Sequence, residues 1–250
     1  MSHSARSGSM ARAAVFAPLD GSGRAELVAQ RLTDAIALGV LADGEKLPTE
    51  ATMARQWGVA TVTAREALEV VRARGLITTR RGRDGGSFVT YSPAGAGWML
   101  DARLRATSRV ALRDLATHSQ AIVGMAAELA ADRATPANLD DLARIVENGD
   151  RGDVGSRRRA QGAFLLELAA LSQSARLVHE EIRLQAEFGP LMWMCLRDPD
   201  HHRRAANAQR TTIDALAAGD GERARRTIVD AMSVAVGWLL DEKSRLEEEA

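Results

Sequence analysis

Arg65 stands at the front of a predicted helix that begins near Thr61 or Thr63 and runs to about Arg74. An arginine in that place can give two hydrogen bonds to O6 and N7 of one guanine. That contact is worth roughly 1–3 kcal/mol of base discrimination. Thr61 and Thr63 can bond phosphates or base edges. The plainer readings are an ion pair of Arg65 with Glu69 at i+4 and a capping box of Thr63 with Glu66. A second group of cations, Arg80, Arg81 and Arg83, surrounds Gly82 just ahead of Gly85-Gly86. Arginine suits a narrow, negative minor groove, and glycine lets backbone approach its floor. A solvated charge run is the plain alternative.

Catalytic patterns are missing. The chain has no G-x-S-x-G, no P-loop and no H-E-x-x-H. Glu180 and Glu181 are neighbours on a predicted helix and point to different faces, which is poor geometry for paired acid–base work. His201-His202 is adjacent in a predicted loop, where two rings diverge. No enzyme is expected.

The cations need elements to hold them. Glu50 to Trp57 reads as a short amphipathic helix, with Met53 and Trp57 four apart on one face. Gly58 frees the backbone for a sharp turn, and Val59 plugs the corner. On the second helix Ala64, Ala67, Leu68 and Val71 form the apolar face. Two helices joined by a glycine turn read as a helix-turn-helix. Ile77–Thr79 and Ser87–Val89 flank the basic tip as two short strands, which completes a wing. Ahead of these lies a helix from about Arg24 to Leu38, striped by Val28, Leu32, Ala35 and Ile36. Thr49 occupies an N-cap position.

The chain of 250 residues is 46% hydrophobic and 26% charged, so a folded core is expected. Net charge is zero, yet residues 23–92 carry ten Lys and Arg against eight Asp and Glu. That mild excess does not by itself argue for nucleic acid. No apolar run approaches a membrane span, and the first residues lack the apolar core of a signal sequence. The single cysteine, Cys195, forms no internal disulfide, which fits a reducing cytoplasm.

LPTE at Leu47–Glu50, the Gly58-Val59 turn, AREAL at Ala64–Leu68, Gly75-Leu76 and a wing ending in GGSFV resemble the DNA-binding domain of the GntR family of bacterial transcription regulators. Five separated elements in order make the resemblance specific over about Arg24 to Val89. It implies DNA contacts at Thr49, Thr61, Val62, Thr63, Arg65, Arg81, Gly82 and Arg83. Thr49 would face a phosphate, and the Arg81-Gly82 tip would reach the minor groove. Two arginines common in relatives are replaced, by Ala51 and Thr61. Val62 then offers a methyl surface to thymine. A divergent operator, a weaker affinity or greater use of the wing is implied.

Beyond a boundary at Tyr91–Gly97 the pattern is helical throughout. The expected segments are a flexible arm at 1–22, a winged helix at 23–92, a linker with a short helix at 93–110, a helical effector-binding and dimerisation domain at 111–242 and a C-terminal tail at 243–250. One helix is expected from Ala175 to Trp193. The fold class is thus mostly α, a winged helix-turn-helix followed by an antiparallel all-α bundle. This resembles the FadR subfamily, whose bundle often holds a divalent metal through an Asp and three His. Those positions become Gln161, Leu165, Gln209 and Ala231, while His118, His179, His201 and His202 fall off the pattern. No metal or other cofactor is expected. The relatives' effector-binding arginine is lost too, with Ser119 nearest its place. Met125, Phe188, Met192 and Met232 remain as candidates to line an effector pocket for an acyl chain, although such residues also pack cores. The expectation is a cytoplasmic, homodimeric repressor of double-stranded operator DNA, responsive to a small metabolite such as an acyl-CoA or organic acid. The alternative is a constitutive DNA-binding dimer whose bundle is only a scaffold.

Overall fold

The computed structural model describes residues 16, 24–37, 41, 43–80, 82, 85–90 and 93–249, without the side chains of 37 and 93–99. Among these residues there are eleven α-helices, one 3-10 segment and one two-stranded sheet. The first domain contains α1 (Arg24–Ala37), α2 (Glu50–Trp57), α3 (Thr61–Ala73), β1 (Ile77–Arg80) and β2 (Gly86–Val89). The Thr49 hydroxyl accepts from the Thr52 amide at 3.2 Å and so caps α2. Gly58 ends α2 at φ 67°, a left-handed conformation that favours glycine. The buried faces of α1, α2 and α3 meet on Leu32, Ile36, Met53, Trp57, Leu68 and Val71, with Val59 packed against them.

Two details of this domain differ from the sequence expectation. Thr63 is not a cap: α3 starts at Thr61 and its N-cap is Ala60, which has no side chain to bond the first-turn amides. Phe16, inside the expected flexible arm, is buried and stacks on Trp57 with ring centroids 5.5 Å apart.

β1 and β2 pair antiparallel, with Ile77 opposite Val89 and Arg80 opposite Gly86. The hairpin is not free-standing. The Leu47 amide donates to the Ser87 carbonyl, and the Val89 amide to the Glu45 carbonyl, both at 2.9 Å. The segment before α2 therefore covers the open edge of β2.

The second part comprises α4 (Pro93–Ala106), α5 (Arg109–Ala131), α6 (Pro136–Asp150), α7 (Val154–Leu171), α8 (Ala175–Glu187), α9 (Gly189–Met192), a 3-10 segment (Trp193–Arg197), α10 (Pro199–Ala217) and α11 (Gly221–Glu248). Side-chain caps at Ser108, Thr135, Asp153, Ser174, Asp198 and Asp220 start the helices. The core runs through Leu112, Val123, Leu142, Phe164, Leu168, Ile228 and Leu239.

The expected single helix from Ala175 to Trp193 is broken. Pro190 has no amide hydrogen to give the carbonyl four residues back, and its ring would clash with that carbonyl in a continued helix. α8 stops at Glu187, and the chain turns at Phe188 into α9 and the 3-10 segment, with Phe188–Leu196 all buried. His201 and His202 lie in α10, not in a loop. α11 continues through the expected tail, where buried Lys243 donates to the carbonyls of Leu104 and Arg105 at 3.1 and 2.8 Å.

Candidate nucleic-acid interface

The front of α3 carries Thr61, Val62 and Arg65 at the surface, with Thr63 half-buried beside them. Val62 is 59% exposed, so its methyl groups are open at the surface. Arg65 does not pair with Glu69. Its Nε donates to Glu50 at 3.0 Å, across the turn on the first residue of α2. That bond uses one edge of the guanidinium, and the side chain stays 61% exposed. Spacing within one helix misses such a partner, because residues 15 apart meet only through the angle of α2 to α3.

Further cations flank this front. Arg72, two turns along α3, donates from Nε to the Thr79 hydroxyl at 3.0 Å and so joins the helix to β1. The Arg80 guanidinium lies over the Phe88 ring, 4.6 Å from its centroid. At the wing tip Gly82 is exposed with φ 112°, and the Gly85 amide closes the turn on its carbonyl at 2.9 Å. Arg81 and Arg83 lie outside the described residues.

The bundle answers a different question: whether the residues at the family's metal positions fit an ion. Gln209 Nε2 donates to Gln161 Oε1 at 3.0 Å, and both side chains are buried. The two amides bond each other and bring no charge. Leu165 is buried in the apolar core, and Ala231 has no donor atom. This set does not fit a divalent ion. Among the described residues no group of three or more His, Cys, Asp or Glu is gathered for one either. His118 faces Glu180 at 4.0 Å and His202 faces Asp150 at 3.1 Å. Burial holds the His202 imidazole below its usual range, with Arg157 adding to the effect and Asp150 opposing it.

Of the candidate pocket residues, Phe188, Met192 and Met232 share one core cluster, and Ser119 is buried on α5. Met125 stands apart, 40% exposed. An open groove of about 370 Å³ between α5 and α11 is lined by Gln120, Ala121, Arg225 and Val229 and includes none of these five.

Pattern reading missed Glu181. Its side chain is buried on α8; Oε1 accepts from Gln185 at 2.7 Å, and Oε2 has no partner. Burial pushes the carboxyl up to about 8, against the smaller effect of the Gln185 bond.

The two domains are joined by Arg103 of α4. One end of its guanidinium pairs with Asp34 on α1, and the other donates to the Glu187 carbonyl, left free where α8 breaks. Asp34 is almost wholly buried and also accepts from Gln30 at 2.7 Å. Burial raises its carboxyl above the ordinary value, and Arg103 offsets part of that rise. At the neighbouring residue, Arg74 at the end of α3 donates to the Thr33 hydroxyl at 3.1 Å.

Comparison with known proteins accords with this layout. Residues 24–89 match the family described as bacterial regulatory proteins, gntR family, and residues 114–233 match the FCD domain. The chain is 33% identical over 237 residues to an HTH-type transcriptional regulator of Mycobacterium gastri, RmpR, covering 92% of this chain and 85% of that one. It is 31% identical over 153 residues to an uncharacterized HTH-type transcriptional regulator of Mycobacterium tuberculosis, covering 60% of this chain and 62% of the other. The fold resembles that of E. coli McbR/YncC, with a TM-score of 0.55 at 18% identity over 89% of this chain and 99% of that one. No helix among the described residues is long and apolar enough to cross a membrane. The chain belongs to the GntR family of transcription regulators, with a winged helix-turn-helix for DNA followed by an FCD domain, as in the FadR-type branch.

Proposed function

We propose that the protein is a homodimeric repressor of operator DNA whose bundle senses a small metabolite without a metal ion and without catalysing a reaction. The observation that carries the sensing part is the bridge through Arg103, which ties the first helix of the DNA-binding domain to the broken end of α8. A ligand that favours another placement of that end also favours another placement of the winged helix. It acts only through its difference in affinity for the two states.

Thr49, Thr61, Val62, Thr63, Arg65 and the tip Arg81-Gly82-Arg83 form the DNA-facing set in this reading. Arg65 reads a guanine, Val62 a thymine methyl, and the tip a minor groove. One such front per chain favours a dimer on a two-fold site. The uncharged, hydrogen-bonded Gln161–Gln209 pair supports a bundle that works without metal. Acyl-CoAs and organic acids are the ligand classes to try first.

A second reading, a bundle that is only a scaffold, draws support from Phe188, Met192 and Met232, which are almost wholly buried in the core. Thermal shift against a panel of acyl-CoAs and organic acids, followed by operator titration, separates the two. Sensing requires a compound that raises the melting point and weakens operator binding. No response across the panel favours the scaffold. Sedimentation tests the dimer, and elemental analysis tests the metal-free state, where one ion per chain would refute it.

A further inference from the structure

We propose that Arg55 contacts a DNA phosphate and supplies the charge that is absent at Ala51. The inference rests on the reading that the fronts of α2 and α3 lie against DNA. Residues 51 and 55 are one turn apart and share a face of α2. Both are exposed, while Met53, Ala54 and Trp57 take the opposite side into the core.

Position 55 lies one turn, about 5.4 Å, farther from the front of the helix than position 51. An arginine side chain spans that rise, and side chains on a helix lean toward its N-terminus. Arg55 does so: its terminal nitrogen donates to the Thr52 hydroxyl at 3.3 Å. The guanidinium is thereby brought back to the level of position 52. Thr52 in turn lies 2.9 Å, oxygen to oxygen, from the Thr49 hydroxyl that caps the helix. Two hydroxyls and one guanidinium form a single polar patch at this corner.

The charge on Arg55 is also uncommitted. Arg65 is paired with Glu50, whereas among the described residues Arg55 has no carboxylate within ion-pair distance. Its hydroxyl bond is long and exposed, so exchanging it for a charge-assisted bond to phosphate costs little. In this reading the front of α3 faces the base edges, while the Arg55 guanidinium is drawn back to the hydroxyls that cap α2. Arg55 therefore strengthens binding to any duplex and does not choose the sequence.

The test compares two probes, a mixed-sequence duplex and a duplex enriched by the protein from a random pool, over a range of salt. Arg55→Ala is expected to weaken both by the same factor, roughly three- to tenfold, and to lower the salt slope by about one unit. Arg55→Lys keeps the slope. Adding Ala51→Arg to Arg55→Ala restores it, because a guanidinium returns to the same corner. An unchanged slope in Arg55→Ala overturns the proposal, and so does a loss confined to the enriched duplex. Arg65→Ala is the control: if it weakens binding and Arg55→Ala does not, only the role of Arg55 fails. If neither variant changes binding, the DNA-facing reading of both helices fails with it. Arg55→Gln provides the same comparison should the alanine variant fold poorly.

Discussion

Arg65 and Glu50 illustrate how a single side chain can be steadied and still be available. The pair is exposed on both sides, so it contributes well under about 1 kcal/mol to folding. Its value lies in holding the Nε edge while most of the side chain stays exposed. Glu50→Ala should leave the melting point nearly unchanged, reduce the preference for one base severalfold and raise affinity for mixed-sequence DNA, since a negative charge is removed. Competition binding measures all three, and an unaltered base preference would reduce Glu50 to a favourable acid at a helix start. Glu181 supplies a different residue-scale prediction. Unfolded, it releases its proton near 4.5; folded, it holds the proton to about 8. Between those values the unfolded chain binds fewer protons, so stability falls as pH rises, by on the order of a few kcal/mol. Glu181→Gln keeps the partner of Gln185 and should flatten most of that fall in denaturant titrations from pH 5.5 to 8.5. A Gln variant as pH-sensitive as the parent would show that Glu181 is ionised in the fold. Neither partner relation was legible beforehand. Spacing places Arg65 at a helix front, but Glu50 reaches it through tertiary geometry, and a Glu-Glu pair gives no sign of which member is buried.

Helix ends were legible where a local rule governs them. Gly58 and Pro136 mark turns and starts in their own types, and α2 has the bounds that its apolar spacing implies. The reading failed where a local rule was outweighed by pattern. Leu177, Leu184, Phe188 and Leu191 keep helical spacing across Gly189-Pro190, yet the proline constraint wins and α8 stops. The start of α3 is the opposite case: Thr63 and Glu66 fit a capping box, but the helix already begins at Thr61. Close helix packing adds a constraint that spacing does not reveal. A Cβ on Gly149 of α6 would stand 2.7 Å from the Ala160 Cβ of α7. Gly149→Ala should therefore cost roughly 1–3 kcal/mol in chemical denaturation through overpacking. Adding Ala160→Gly should recover part of it; no recovery would locate the strain elsewhere.

The order of the two domains could be read along the chain, because the wing ends in a Ser-Pro-Gly stretch and everything after it keeps helical periodicity. How they dock could not. Arg103 meets partners 69 and 84 residues away, and nothing local to any of the three announces the contact. Removing one member of a buried pair strands the other, so Arg103→Met should lower stability by roughly 3–5 kcal/mol. Adding Asp34→Asn should restore part of the loss by neutralising the stranded charge. A cost below about 1 kcal/mol would mean that water screens the bridge. A last consequence concerns the sulfur chemistry of the intact molecule. Cys195 is buried beneath the break in α8, and burial pushes its thiol up to about 12, so hardly any thiolate exists at neutral pH. Maleimide reagents should therefore pass over the native chain. A cysteine introduced at Thr90 would accept one spectroscopic label per chain with no background to engineer away, and in the proposed dimer the spread between the two winged helices becomes directly measurable.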